Sequence, residues 1–144
     1  MAKVYFASPM EGIDFATVKS RYLHLEKQLK RNGHELANPI SFYEEEIPTV
    51  QSLPRSEKSK YIVSRDIERL KIADIILIDL SMGGHKYIGC ICEMVYAYTL
   101  GKPVIAFVGD SKYEAHPWIV YHCQAFYNKL EDALSALNSR ESGT

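Results

Sequence analysis

The chain has 144 residues, 47% of them hydrophobic and 24% charged, with 17 Lys and Arg against 18 Asp and Glu for a net charge of −1. That composition fits one domain, residues 1–144, able to bury a core without disulfides or a structural metal, and it lacks the basic footprint of a nucleic-acid binder, so a small molecule is the expected partner. No apolar run approaches the roughly 18 residues of a membrane span, and "MAKVYFASPM" reads as a strand rather than a secretory signal, so a cytoplasmic protein with no membrane partner is expected.

Residues 3–8, "KVYFAS", read as a first strand. Val18, Tyr22, Leu25 and Leu29 then recur at helical spacing, and Asn32-Gly33 marks the stop. A short second strand is expected over 34–39, closed by Pro39. The stretch "ISFYEEEIPTVQSLPRSEKSK" has two prolines, an acidic triplet and no clear period, and reads as a surface loop. A second helix is expected from Ser56 to Ala73, with Val63, Ile67 and Leu70 inward. "DIILIDL" (74–80) is a continuous apolar run of the kind found in a central parallel strand. A helix follows from Cys90 to Leu100, stopped by Gly101, and "PVIAFVG" (103–109) is a further buried strand. "EAHPWIVYHC" reads as a short helix, "QAFYN" as a last strand, and "KLEDALSALNSR" as a closing helix with Leu130, Leu134 and Leu137 on one side; "SRESGT" is expected to fray.

Strands alternating with helices imply a parallel sheet with right-handed crossovers. The expected fold is α/β, a flavodoxin-like or Rossmann-like three-layer sandwich on a five-stranded parallel sheet of order 2-1-3-4-5. In such a sheet ligands bind at the carboxyl ends of the strands where the order reverses, here between strands 1 and 3. The segments at that edge are "SPMEGID", "DLSMGGHKYIG" and "VGDSKYEAHPW".

Glu93 stands beside the second of these. Gly83, Gly84 and Gly89 let the backbone approach a ligand closely, and a helix start favours a nearby anion. From spacing alone Glu93 is either an acid stabilised by the helix dipole or a reacting group; placed in the first helical turn, it is expected to be ionised at pH 7. Cys90, Cys92 and Cys123 form no CxxC pair and read as reduced, mostly buried thiols. Because Cys90 and Cys92 point to different helix faces, neither a metal site with His85, His116 and His122 nor any cofactor is expected.

"RDIERLKIADIILIDL", a loop, and then "YIGCICEMVYAYTLGKPVIAF" together resemble the nucleoside 2-deoxyribosyltransferase superfamily, which includes nucleoside 5'-monophosphate N-glycosidases. The likeness spans roughly residues 3 to 107 and is densest over 65 to 107. It implies cleavage of an N-glycosidic bond, with Glu93 as nucleophile, Asp66 as the acid that orients or protonates the base, Tyr5 positioning the nucleophile, and Gly89 as the glycine of the turn. Ser8 and Met10 follow strand 1 where the family holds base or sugar. Asp79, Ser81, His85 and Tyr87 complete the expected substrate contacts. Two positions depart from the pattern: Cys90 stands where many members have Thr or another small residue, and Tyr87 where transferases have Asp and the monophosphate hydrolases Ser.

The resemblance also implies a homo-oligomer, at least a dimer, in which a neighbour helps close each site, and Tyr113, Trp118, Tyr121, Phe126 and Tyr127 offer apolar area for it. His116, Pro117 and Trp118 read as a lid, a subunit contact or core. The expected activity is transfer of a deoxyribosyl group between bases through a glycosyl ester on Glu93. Hydrolysis of 5'-monophosphates and a non-catalytic nucleotide-binding module are the alternatives. A phospho-acceptor receiver is disfavoured, because "ASPM" stands where receivers carry an acidic pair.

Overall fold

The apolar run Ile75–Asp79 forms β3 with every residue buried, as a strand covered on both faces requires. β1 (Lys3–Ala7) and β4 (Val104–Phe107) flank it, and β2 (Glu35–Leu36) and β5 (Ala125–Tyr127) form the edges. All pairs are parallel, in the order β2-β1-β3-β4-β5. The connecting helices are α1 (Phe15–Arg31), α2 (Ile40–Ser52), α3 (Arg55–Ile72), α4 (Ile88–Thr99), α5 (Pro117–His122) and α6 (Leu130–Ser142). This is the sandwich and the strand order expected from the alternation of apolar runs and helical periods.

The computed structural model describes residues 1–142, with side chains through Ser139. Helix α6 takes in Ser139–Ser142, part of the stretch expected to fray, while Gly143 and Thr144 lie outside the described residues. Among the described residues no helix is long and apolar enough to cross a membrane.

Side chains alternate along each strand, so the sheet has two apolar faces. Val4, Phe6, Ile75, Leu77 and Ile105 pack with Val18, Tyr22, Leu25 and Leu29 of α1 and Ala133 and Leu137 of α6. Tyr5, Ala7, Ile76, Ile78, Val104 and Ala106 pack on the opposite face with Leu70 of α3 and Cys90, Met94 and Ala97 of α4. Tyr5 is thereby turned toward α3 and α4, the helices that carry Asp66 and Glu93. Helix α1 opens where the Asp14 carboxylate accepts the Thr17 N–H at 3.1 Å. It closes before Gly33, whose φ of +77° suits a residue without Cβ.

The expected loop after Pro39 is instead α2 and the first turn of α3. Only Ile40 of α2 is buried, which is why no apolar period marks it. Its acids provide the anchorage: Glu44 meets Lys19 of α1 at 2.9 Å, and Glu46 meets Arg65 of α3 at 2.7 Å. Arg69 lies 3.8 Å over the Phe42 ring and Arg65 4.7 Å over that of Tyr43. Pro48 sits inside the helix, where it has no N–H to offer the carbonyl of Glu44.

On α3, Leu70 is buried and Ile67 half-buried, but Val63, expected inward, is 55% exposed. The inward row there runs Ile62, Asp66, Leu70, a spacing of four whose middle member is a carboxylate.

The second strand is only Glu35–Leu36, shorter than expected. Beyond it, the Asn38 side chain continues the pairing with β1. Its Oδ1 accepts the Phe6 N–H at 2.8 Å, and its Nδ2 donates to the Phe6 carbonyl at 2.8 Å and to the Tyr43 hydroxyl at 3.0 Å. Asn38 is fully buried. Asn38→Ala leaves the buried Phe6 N–H without its acceptor, while the Phe6 carbonyl keeps the Tyr22 hydroxyl at 3.1 Å, and is expected to cost about 2–3 kcal/mol. Urea denaturation measures it, and an unchanged midpoint would contradict this role.

Candidate active site

At the reversal of strand order, the carboxyl end of β1 and the first turns of α4 open onto a cavity of about 500 Å³. Its lining includes Tyr5, Ser8, Met10, Tyr43, Asp66 and Glu93. Each side chain arrives from a different element: Tyr5 from β1, Ser8 and Met10 from the loop after it, Tyr43 from α2, Asp66 from α3, Glu93 from α4.

Helix α4 begins at Ile88, earlier than expected, so Glu93 lies in its second turn and the first turn holds no acid. The dipole effect fades within one turn, and burial prevails over it. The Glu93 carboxyl is pushed up to about 8 by desolvation, with the charge of Asp66 adding to the rise. A hydrogen bond from the Tyr5 hydroxyl and the more distant Arg65 charge oppose it. Glu93 keeps some accessible area, which is consistent with a group that borders a cavity yet has most of its surroundings made of protein. The expectation of an ionised Glu93 at pH 7 is therefore corrected: in the free protein the group is largely protonated there.

Tyr5 is 1% exposed, and burial followed by the Glu93 charge raises its phenol well above the usual range. It stays a hydrogen-bond donor at any working pH. Asp66 is also raised, by burial first, while Arg65 pulls it down through charge and hydrogen bond and the Glu46 charge lifts it. Cys90 lines the same cavity, and its thiol is raised by burial and then by Glu93, so it is neutral and unreactive as a thiolate. Gly89 stands four residues before Glu93, and a Cβ there would sit 3.7 Å from Glu93 Oε1. Glycine keeps that space open beside the carboxylate.

The pattern of the nucleoside 2-deoxyribosyltransferase family matches residues 4–133. The chain belongs to that family. Among solved structures it is similar to the CMP N-glycosidase BcmB of Clostridium botulinum, with a TM-score of 0.58 and 19% identity over 94% of this chain and 98% of that one. That likeness establishes a shared fold. No curated protein sequence matches the chain.

In this deoxyribosyltransferase-family chain, Glu93, Asp66, Tyr5, Ser8, Met10 and Gly89 all border one cavity. Asp79, Ser81, His85 and Tyr87 lie outside that lining. Asp79 is buried and accepts hydrogen bonds from the Ser81 backbone and hydroxyl, closing its own turn. The Tyr87 hydroxyl accepts the Met82 N–H at 2.9 Å, and its ring packs edge-on against Tyr113. His85 is exposed. Sequence reasoning missed Tyr22, Tyr43 and Ile62 as lining. Two of these share α2 or the early α3 face, which had no apolar period to announce it, and Tyr22 looks like ordinary core. Of the three cysteines, Cys90 is buried, Cys123 half-buried and Cys92 exposed, which corrects the expectation of mostly buried thiols for Cys92.

A carboxyl raised in the folded state contributes stability that is complete below its unfolded value, near 4.5, and is lost as pH rises through about 8. Glu93→Gln is therefore expected to be more stable than the parent above pH 8, by on the order of 1–3 kcal/mol, with the advantage gone near pH 4. Thermal unfolding at the two pH values measures this. An advantage independent of pH would contradict it.

Proposed function

We propose that the protein cleaves the N-glycosidic bond of 2'-deoxynucleosides and transfers the deoxyribosyl group to another base. The observation that carries this reading is the buried Glu93 carboxyl, held by the Tyr5 hydroxyl in a cavity that Asp66 also enters. In the first step a Glu93 oxygen bonds to the anomeric carbon as the bond from that carbon to the base nitrogen breaks. The base leaves carrying the electron pair, and Asp66 orients or protonates it. A second base then attacks the anomeric carbon and frees the carboxylate. Glu93 must be ionised to begin, so activity rises with pH toward 8.

Transfer over hydrolysis is supported by the lining. Tyr43, Ile62 and Met10, each partly exposed in the cavity wall, offer apolar surface against which a base packs. Anion recognition has less support. Arg65 is engaged by two carboxylates, and the Tyr87 hydroxyl is engaged at Met82. One observation favours the second reading, hydrolysis of nucleoside 5'-monophosphates of the kind named for the Clostridium botulinum relative: Lys86 borders the cavity that Ser8 also lines, 3.8 Å from Glu11.

The test offers a deoxynucleoside with an excess of a different base and quantifies the new nucleoside by chromatography. The expected result is exchange by the parent, with a slower release of free sugar, and none by Glu93→Ala. Reaction of 5'-monophosphates alone would replace transfer by the hydrolase reading, and full turnover in Glu93→Ala would remove Glu93 from the mechanism.

A homo-oligomer belongs to the same proposal. Trp118 and Tyr121 of α5 are 65% and 67% exposed and, with Pro117 and His122, line an aromatic hollow suited to a subunit contact. Sedimentation should show a dimer or larger at assay concentration. A fully active monomer would contradict it.

A further inference from the structure

Glu11 and Lys86 meet at the rim of the cavity, with Lys86 Nζ 3.8 Å from Glu11 Oε1 and side chains 63% and 72% exposed. They come from two different loops. Met10 to Ile13 form a turn between β1 and α1, closed by the Ile13 N–H on the Met10 carbonyl at 3.2 Å, with Gly12 in its third position at a φ of +80°. That turn runs directly into Asp14, the cap of α1, which holds Glu11 at the cavity end of the helix. Lys86 follows a second turn, closed by the His85 N–H on the Met82 carbonyl at 3.3 Å, and precedes Tyr87, whose hydroxyl is bonded to Met82. An ion pair this exposed contributes little to stability. Its consequence falls on what enters the cavity.

The lining divides by element. Tyr43, Ile62 and Asp66 come from α2 and α3, whereas Ser8, Glu11, Lys86 and Gly89 come from the loop after β1 and the segment entering α4, the helix of Glu93. A sugar whose anomeric carbon meets Glu93 and whose base meets Asp66 turns its 5' end toward the Ser8 wall. Ser8 is 7% exposed, and its hydroxyl has no hydrogen-bond partner among the described residues. It can pair with a 5'-hydroxyl.

The same wall has features that suit a phosphate. Helix α4 starts without a side-chain cap, so its first amides are open to an anion. Of the two cations in the lining, Arg65 is bound to Glu46 and Asp66, which leaves Lys86. Glu11 is the carboxylate set beside it. We propose that Glu11 is a specificity-determining residue: its charge offsets Lys86 and repels a phosphate, so that substrates with a free 5'-hydroxyl are accepted over their 5'-phosphates. The inference rests on the base-release reading for the substrate's placement.

The experiment measures kcat/KM for base release from each 2'-deoxynucleoside and from its 5'-monophosphate, and the calorimetric affinity for 2-deoxyribose 5-phosphate. It compares the parent, Glu11→Gln, Glu11→Asp and the double variant Glu11→Gln/Lys86→Met. Glu11→Gln is expected to raise the ratio of monophosphate to nucleoside kcat/KM about tenfold and to tighten 2-deoxyribose 5-phosphate by a similar factor. Glu11→Asp, which keeps the charge, stays within about threefold of the parent, and the double variant, which restores the parent's net charge at the rim, returns close to it. Raising the salt from about 0.05 to about 0.5 M shrinks the Glu11→Gln gain. A ratio unmoved in Glu11→Gln overturns the inference. So does an equal rise in Glu11→Asp, a gain undiminished in the double variant, a parent that already prefers the 5'-monophosphates, or a Glu11→Gln chain that binds the sugar phosphate no better than the parent. If no variant releases base, the base-release reading falls, while the calorimetry still decides whether Glu11 excludes a phosphate.

Discussion

A carboxylate taken out of water and kept near a second one is the constraint on which this structure turns. Glu93 is raised to about 8 chiefly by burial and then by Asp66, and neither acid reaches the cavity by accident of a loop. β1 delivers the one hydroxyl that offsets the cost, from Tyr5, because strand alternation points Tyr5 at α3 and α4 while Val4 and Phe6 fill the other face. The register Tyr5↔Ile76 and Ala7↔Ile78 fixes β1 against β3, and β3 leads through the glycine loop into α4. Shifting β1 by one residue would put Phe6 under Glu93 and leave the carboxyl without its donor.

The same logic explains why α2 and α3 bury fewer side chains than α1 does. α1 buries a full row of Val18, Tyr22, Leu25 and Leu29. α3 and α2 spend comparable positions on Asp66, Arg65 and Glu46 and hold together through ion pairs and cation–ring contacts. Half-buried charges of this kind are a weak source of stability and a good source of specific geometry. The Asn38 amide extends the framework, linking Phe6 of β1 to the Tyr43 hydroxyl at the cavity.

Legibility in the sequence followed this division. The five strands, their order and α1 could be read because burial on both faces of β3 and the four-three-four spacing of α1 leave direct apolar signals. α2 could not, since what fixes it is Glu44 and Glu46 reaching partners distant in the chain, and an acidic triplet followed by prolines looks like a loop locally. Val63 was misread for a related reason: the inward face of α3 is the site wall, so an apolar residue points out where Asp66 points in. The cavity was anticipated from topology, whereas the ionisation of Glu93 was not. Its helix starts at Ile88 instead of Cys90, and that small displacement moves the acid from a turn ruled by the dipole to one ruled by desolvation.

In the function proposed above, all of this serves one atom, the Glu93 oxygen that attacks an anomeric carbon. The most direct measurement is intact and peptide mass spectrometry after incubation with a 2-fluoro-substituted deoxynucleoside, whose glycosyl ester turns over slowly. The account predicts an added mass of one fluorinated sugar on the peptide that contains Glu93, removed again when a free base is supplied. Base release with no adduct on that peptide, or an adduct that forms equally in Glu93→Ala, would contradict it.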